Sequence, residues 1–152
     1  MNPIMNKVIN WLEAGAPHVG QLSGFDYSNW LRSDDCGTVA CIAGAAVQFA
    51  APDFEYSPKE ASYRSKGHVH YTPHIPIEAQ ALLDLTDEET QLLFYPFELT
   101  NEGLIGTRYY DPDLDYNSEP LDWVRDLAPE QIAVVLRHFA QTGDINWYLA
   151  DT

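Results

Sequence analysis

The residues best suited to chemistry in this chain are two cysteines and a run of histidines. Cys36 and Cys41 lie in DDCGTVACIAGAAVQFA, residues 34–50, and His68, His70 and His74 follow downstream. A cysteine at the mouth of a helix has its thiolate stabilised by unpaired amides and the helix dipole, and a histidine in reach completes a nucleophile and base pair. On that chemistry Cys36 is the nucleophile and His68 the base of a small cysteine hydrolase, with His70 or His74 as orienting partner. The same histidines spell H-x-H-x3-H. On a strand the first two face one side, as metal ligands do, so a metal or small-ligand module at His68, His70 and His74 is a further reading. Asp53, Glu55 or a cysteine would supply a fourth ligand.

Acids form the third constellation. Asp111, Asp113, Asp115, Glu119 and Asp122 occupy positions 1, 3, 5, 9 and 12 of an EF-hand-like loop. Position 6 is Tyr116 where the turn needs glycine, and the twelfth residue is an aspartate with a short arm, so the pattern reads better as a solvated docking surface. Asp87, Glu88 and Glu89 make a second cluster. Glycine-rich phosphate loops, G-x-S-x-G, H-E-x-x-H and C-x-x-C are all absent, which removes the footholds of most common enzyme classes. No cofactor is expected.

Charge is the strongest global signal. The formal net charge is −15, and it is uneven: residues 78–152 hold sixteen acids against Arg108, Arg125 and Arg137, whereas residues 1–77 hold seven acids and five bases. A field of this sign repels phosphates and attracts basic protein surfaces, so a basic partner is expected and direct nucleic acid binding is not. With 45% hydrophobic residues the chain can build one sizeable core, and disorder is not expected. No apolar run reaches membrane-spanning length, and MNPIMNKVINWLEAG has neither a basic leader with an apolar block nor a small-residue cleavage site. These features predict a cytoplasmic protein with reduced thiols and no membrane contact.

Positioning elements follow from periodicity. Asn2-Pro3 opens a helix with Ile4, Val8, Ile9 and Leu12 on one side, ended by Gly15 and Pro17. Residues 16–33 read as mostly loop, anchored by Phe25, Tyr27, Trp30 and Leu31. Residues 36–50 are apolar all round, the pattern of a buried central helix, with Gly37, Cys41 and Ala45 in one row and Ala40 with Gly44 in another. A small hairpin near 61–72, turning at Ser65-Lys66-Gly67, is the one convincing strand signal. Pro76 opens a helix, Thr86-Asp87-Glu88-Glu89 is a capping box for another ending at Pro96, and Pro129 starts the clearest amphipathic helix, capped by Gly143. Residues 100–128 read as loop with one short element near Leu104 to Tyr109. The expected architecture is mainly α, one domain over 1–152, with no internal repeat.

Two resemblances bear on function. Asp35-Cys36-Gly37 resembles the opening of the nucleophile helix in NlpC-like hydrolases, but Asp34 and Asp35 would raise the thiol pKa. The segments CGTVACIAGAA, EAQALLDLTDEETQLLF and LAPEQIAVVLRHFAQTGDINW resemble, over about half the chain, a group of small uncharacterised phage and bacterial proteins. These carry a Cys-Gly-Thr-x-x-Cys-x-x-Gly helix, here Cys36, Gly37, Thr38, Cys41 and Gly44, with a Leu-Thr-x-x-Glu helix and a terminal Thr-Gly-Asp-x-x-Trp element. That resemblance implies a mostly helical domain and interference with a host system. The leading expectation is an acidic, non-enzymatic interaction protein, an inhibitor mimicking nucleic acid towards a host nucleic-acid-binding or defence protein. Its contact residues would be Asp87, Glu88, Glu89, Asp111, Asp113, Asp115, Glu119 and Asp122.

Overall fold

Helix α1 (Pro3–Glu13) starts where its sequence requires: Asn2 Oδ1 accepts from the amides of Ile4 at 2.9 Å and Met5 at 3.0 Å, and proline at the first helical position has no amide to satisfy. The computed structural model of the protein describes residues 2–18, 22–25, 31–34, 37–50, 54–57, 62–65, 71–72 and 75–151. Val8, Ile9 and Leu12 of α1 are fully buried, each side chain contributing roughly 2 kcal/mol of hydrophobic stabilisation. The helix stops in a left-handed turn at Gly15, φ +86°, where Gly15 N donates to Leu12 O and Ala16 N to Trp11 O, satisfying the last carbonyls.

The chain is mainly helical, and its core is built from helix faces. Helix α2 (Ile42–Ala50) is buried from Ile42 through Gln48 and packs on α1, α3 (Ile75–Leu83) and α4 (Asp87–Phe94). Its small residues Ala43, Ala45 and Ala46 are fully buried, so neighbouring backbones approach closely. Helix α5 (Pro129–Thr142) lies against α1 and buries Ile132, Ala133, Val135 and Leu136. Arg137 Nε donates to Glu13 Oε1 at 2.6 Å across that junction, and this bond holds the Glu13 carboxyl below its ordinary pKa. Short 3₁₀ turns at Pro96–Glu98, Glu102–Leu104, Asp122–Asp126 and Trp147–Asp151 carry the rest of the second half. Among the described residues no helix is long and apolar enough to cross a membrane.

The buried central helix expected over 36–50 is present but shorter. It begins at Ile42, and Gly37–Ala40 before it is strand β3. β3 is the middle of a three-stranded sheet, parallel to β1 (Leu22–Phe25) and antiparallel to β2 (Leu31–Asp34), with Asp34 opposite Gly37 and Leu31 opposite Ala40. Thr38 and Val39 are β-branched and Gly37 disfavours helix, so pairing on both edges outweighs the helical pattern. The rows through Gly37 and Ala40 therefore do not form on one helix. β1 and β2 also fall in the stretch 16–33 expected to be mostly loop; Tyr27 and Trp30 lie outside the described residues.

The small hairpin near 61–72 is β5 (Ser62–Ser65) paired antiparallel with β6 (Tyr71–Thr72), Tyr63 opposite Thr72 and Arg64 opposite Tyr71. It is joined by a further strand, β4 (Phe54–Ser57), so this sheet runs β4-β5-β6. No strand was expected at β4, since Phe54-Glu55-Tyr56-Ser57 alternates over only four residues between Pro52 and Pro58.

Candidate functional site

The first acidic cluster belongs to the start of α4. Thr86 Oγ1 accepts from Glu89 N at 3.1 Å while Glu89 Oε1 accepts from Thr86 N at 2.9 Å, the reciprocal capping box read in the sequence. Asp87 Oδ1 accepts from Gln80 Nε2 at 2.8 Å, tying α4 to α3. Asp87 and Glu89 thus serve helix geometry, and all three acids sit at the positive end of the helix dipole. Of the three, only the Glu88 carboxylate takes no hydrogen bond and no ion pair among the described residues.

The second cluster is arranged around one buried side chain. Asn101 is completely enclosed. Its Nδ2 donates to Asp111 O at 2.8 Å and Leu114 O at 3.2 Å, its Oδ1 accepts from Asp111 N at 3.0 Å, and its amide donates to Ser118 O at 2.7 Å. Successive turns follow, Leu114 N to Asp111 O, Ser118 N to Asp115 O and Asp122 N to Glu119 O. Asp111 Oδ1 accepts from Asp113 N at 2.9 Å, as an aspartate in a local turn does. Asp113, Asp115, Glu119 and Asp122 are exposed, and their carboxylates take no hydrogen bond or ion pair among the described residues. Among the described residues no three acids, histidines or cysteines stand together as a metal site, so the EF-hand spacing does not close into a calcium loop.

The two clusters flank one stretch, 99–110. Its far end is anchored by Tyr109, whose buried phenol donates to Ile145 O and accepts from Trp147 N, both at 2.8 Å. Burial pushes that phenol's pKa up to about 12. Trp147 is itself fully buried and donates from Nε1 to Leu92 O of α4 at 2.8 Å. Asp144 receives Arg108 Nη2 at 2.5 Å and faces His138 Nε2 at 3.2 Å, while Gly143, φ +77°, ends α5 by donating to Phe139 O. The terminal Thr-Gly-Asp-x-x-Trp element is therefore a structural corner. Sequence reasoning missed Asn101 and the Tyr109 link; the one visible trace was this corner, since neither residue stands in a periodic pattern.

Two hollows open along this stretch. One, about 370 Å³, lies among Thr86, Glu88, Arg108, Tyr109, Asp144 and Ile145. The other, about 380 Å³, lies among Glu88, Gln91, Leu92, Leu99, Leu104 and Ile105. Glu88, Leu92 and Thr107 line both, so they form one trough beside α4. A third hollow of about 270 Å³ is bounded by Glu119, Asp122, Trp123, Arg125 and Asp126. There the Arg125 guanidinium lies 4.9 Å from the Phe97 ring centre, and Trp123 stacks on Tyr148 at 6.5 Å.

The cysteine chemistry loses its stated premise. Gly37, next to Cys36, belongs to a strand, and the residue that precedes α2 is Cys41, which is 2% exposed. Cys36, His68, His70 and His74 themselves lie outside the described residues. Burial pushes the Tyr95 phenol's pKa up, with a smaller contribution from the neighbouring Cys41. No family model matches the chain, and no curated protein or solved structure matches it either.

Proposed function

We propose that this chain is a non-enzymatic acidic interaction protein that binds a basic protein surface, its carboxylates standing in for nucleic acid phosphates. One observation carries the reading. The carboxylates of Glu88, Asp113, Asp115, Glu119 and Asp122 are exposed and have no hydrogen bond or ion pair among the described residues, while the three arginines of the same half are engaged: Arg108 with Asp144, Arg137 with Glu13 and Arg125 over Phe97. The negative field of residues 78–152 is thus left uncompensated where solvent and partners meet it, which favours fast encounter with a basic surface. In its finer form, the partner is a cytoplasmic nucleic-acid-processing or defence protein of a host, and the chain is an inhibitor of the kind its phage and bacterial resemblance implies.

The test is capture of host proteins on the immobilised chain at low salt, followed by elution at about 0.5 M salt or with competing duplex DNA. Basic nucleic-acid-binding proteins released by both treatments support the reading. Partners that withstand the salt and ignore the DNA would refute phosphate mimicry.

A further inference from the structure

The trough beside α4 differs in chemistry from the acidic turns. Its apolar lining is Leu92 and Leu99, both half-buried and backed by the enclosed Leu104, and Ile105 stands at its edge 56% exposed. Glu88, whose carboxylate has no partner among the described residues, lies where the two hollows meet. Arg108 at the far end is already paired with Asp144, so its charge is offset there. An apolar floor bounded by an unpaired carboxylate excludes a polyanion. It also leaves a purely cationic ligand with apolar surface it cannot cover. What satisfies both is an apolar side chain with lysine or arginine beside it. The adjoining hollows, about 370 and 380 Å³, each have the volume to take a large side chain, and side-chain pockets are what give a docked segment its specificity.

We infer that this trough seats an apolar side chain carried on a Lys/Arg-rich segment of the partner, with Glu88 receiving the flanking cation. The inference rests on the acidic-interaction reading and adds to it: charge draws the partner in, and the trough selects among basic partners. Gly103 and Gly106 leave the trough wall free of side chains, and a Cβ at Gly106 would meet nothing within 4 Å.

The probe is a blocked peptide, Gly-Lys-Phe-Lys-Leu-Arg-Gly, compared with Gly-Lys-Ser-Lys-Ser-Arg-Gly, each titrated at low salt into the full isotope-labelled chain. The Phe/Leu peptide is expected to bind about tenfold more tightly and to shift the amides of Gly103, Ile105, Gly106 and Thr107. Gln91→Trp, an exposed position whose larger side chain fills the trough, should abolish that advantage and leave the Ser peptide's affinity unchanged. Ile105→Ser should reduce it. Both are surface changes, and unchanged melting temperatures verify folding. Equal affinity of the two peptides, or an advantage surviving Gln91→Trp, overturns the trough inference and leaves the charge reading standing. If neither peptide binds at low salt, the charge reading falls and the trough inference with it.

Discussion

The two acidic segments use the same side chain in opposite ways. In the first turn of α4, Asp87 and Glu89 are consumed by the fold, one accepting from Gln80 and the other closing the capping box. In residues 111–122 the fold is held by a neutral residue, Asn101, and most of the carboxylates are left to solvent. A count of acids therefore says little about which of them are free to meet a partner. Hydrogen-bond allocation decides it, and within these two segments the carboxylates left available among the described residues are those of Glu88, Asp113, Asp115, Glu119 and Asp122.

Removing the neutral pin should have the largest effect. Asn101→Ala deletes three side-chain hydrogen bonds from an enclosed site, and a loss of about 3 kcal/mol in urea unfolding is expected. A loss under about 1 kcal/mol would mean that the turns hold themselves and that the contrast with α4 is false. Tyr109→Phe is next, at about 2 kcal/mol, because Trp147 N and Ile145 O lose their shared partner. Tyr109 also predicts an alkaline signature. Its pKa stands at about 12 in the fold against an ordinary 10.0, so the stability held by the neutral phenol is complete below pH 10 and is lost as pH rises through 12. Wild type should weaken across that window by on the order of 2 kcal/mol more than Tyr109→Phe does.

Thr86→Ala breaks the capping box and should cost about 1 kcal/mol, read by thermal or urea unfolding. The smallest change completes the comparison. Asp113→Asn with Asp115→Asn should move stability by less than about 0.5 kcal/mol while weakening capture of basic proteins at low salt. A double variant that unfolds easily, or that binds as before, would place these carboxylates with Asp87 and Glu89 as structural groups.

Legibility in the sequence followed locality. The capping box at Thr86 and Glu89, the Asn2-Pro3 start, the Gly143 stop and the apolar face of α5 were all readable, because each depends on residues within one or two turns. The exposed character of Asp113, Asp115, Glu119 and Asp122 was readable for the same reason. Strand β3 was not: GTVA sits inside an unbroken apolar run, and its pairing with residues 22–25 and 31–34 is absent from any local pattern. Nor was Asn101, a single polar residue whose burial arises only when turns ten or more positions away close over it.

The sequence by itself determined the helical class, the caps and the concentration of negative charge in residues 78–152. Propensity, periodicity and ionisation are properties of short stretches and need no partner from elsewhere in the chain. Tertiary structure alone decided that Asn101 would pin the acidic turns and that Tyr109 would join residues 145–147. It alone left the Glu88 carboxylate unpaired beside an apolar trough and those of Asp113, Asp115, Glu119 and Asp122 open to solvent, since each outcome depends on which distant groups meet and which polar atoms they satisfy.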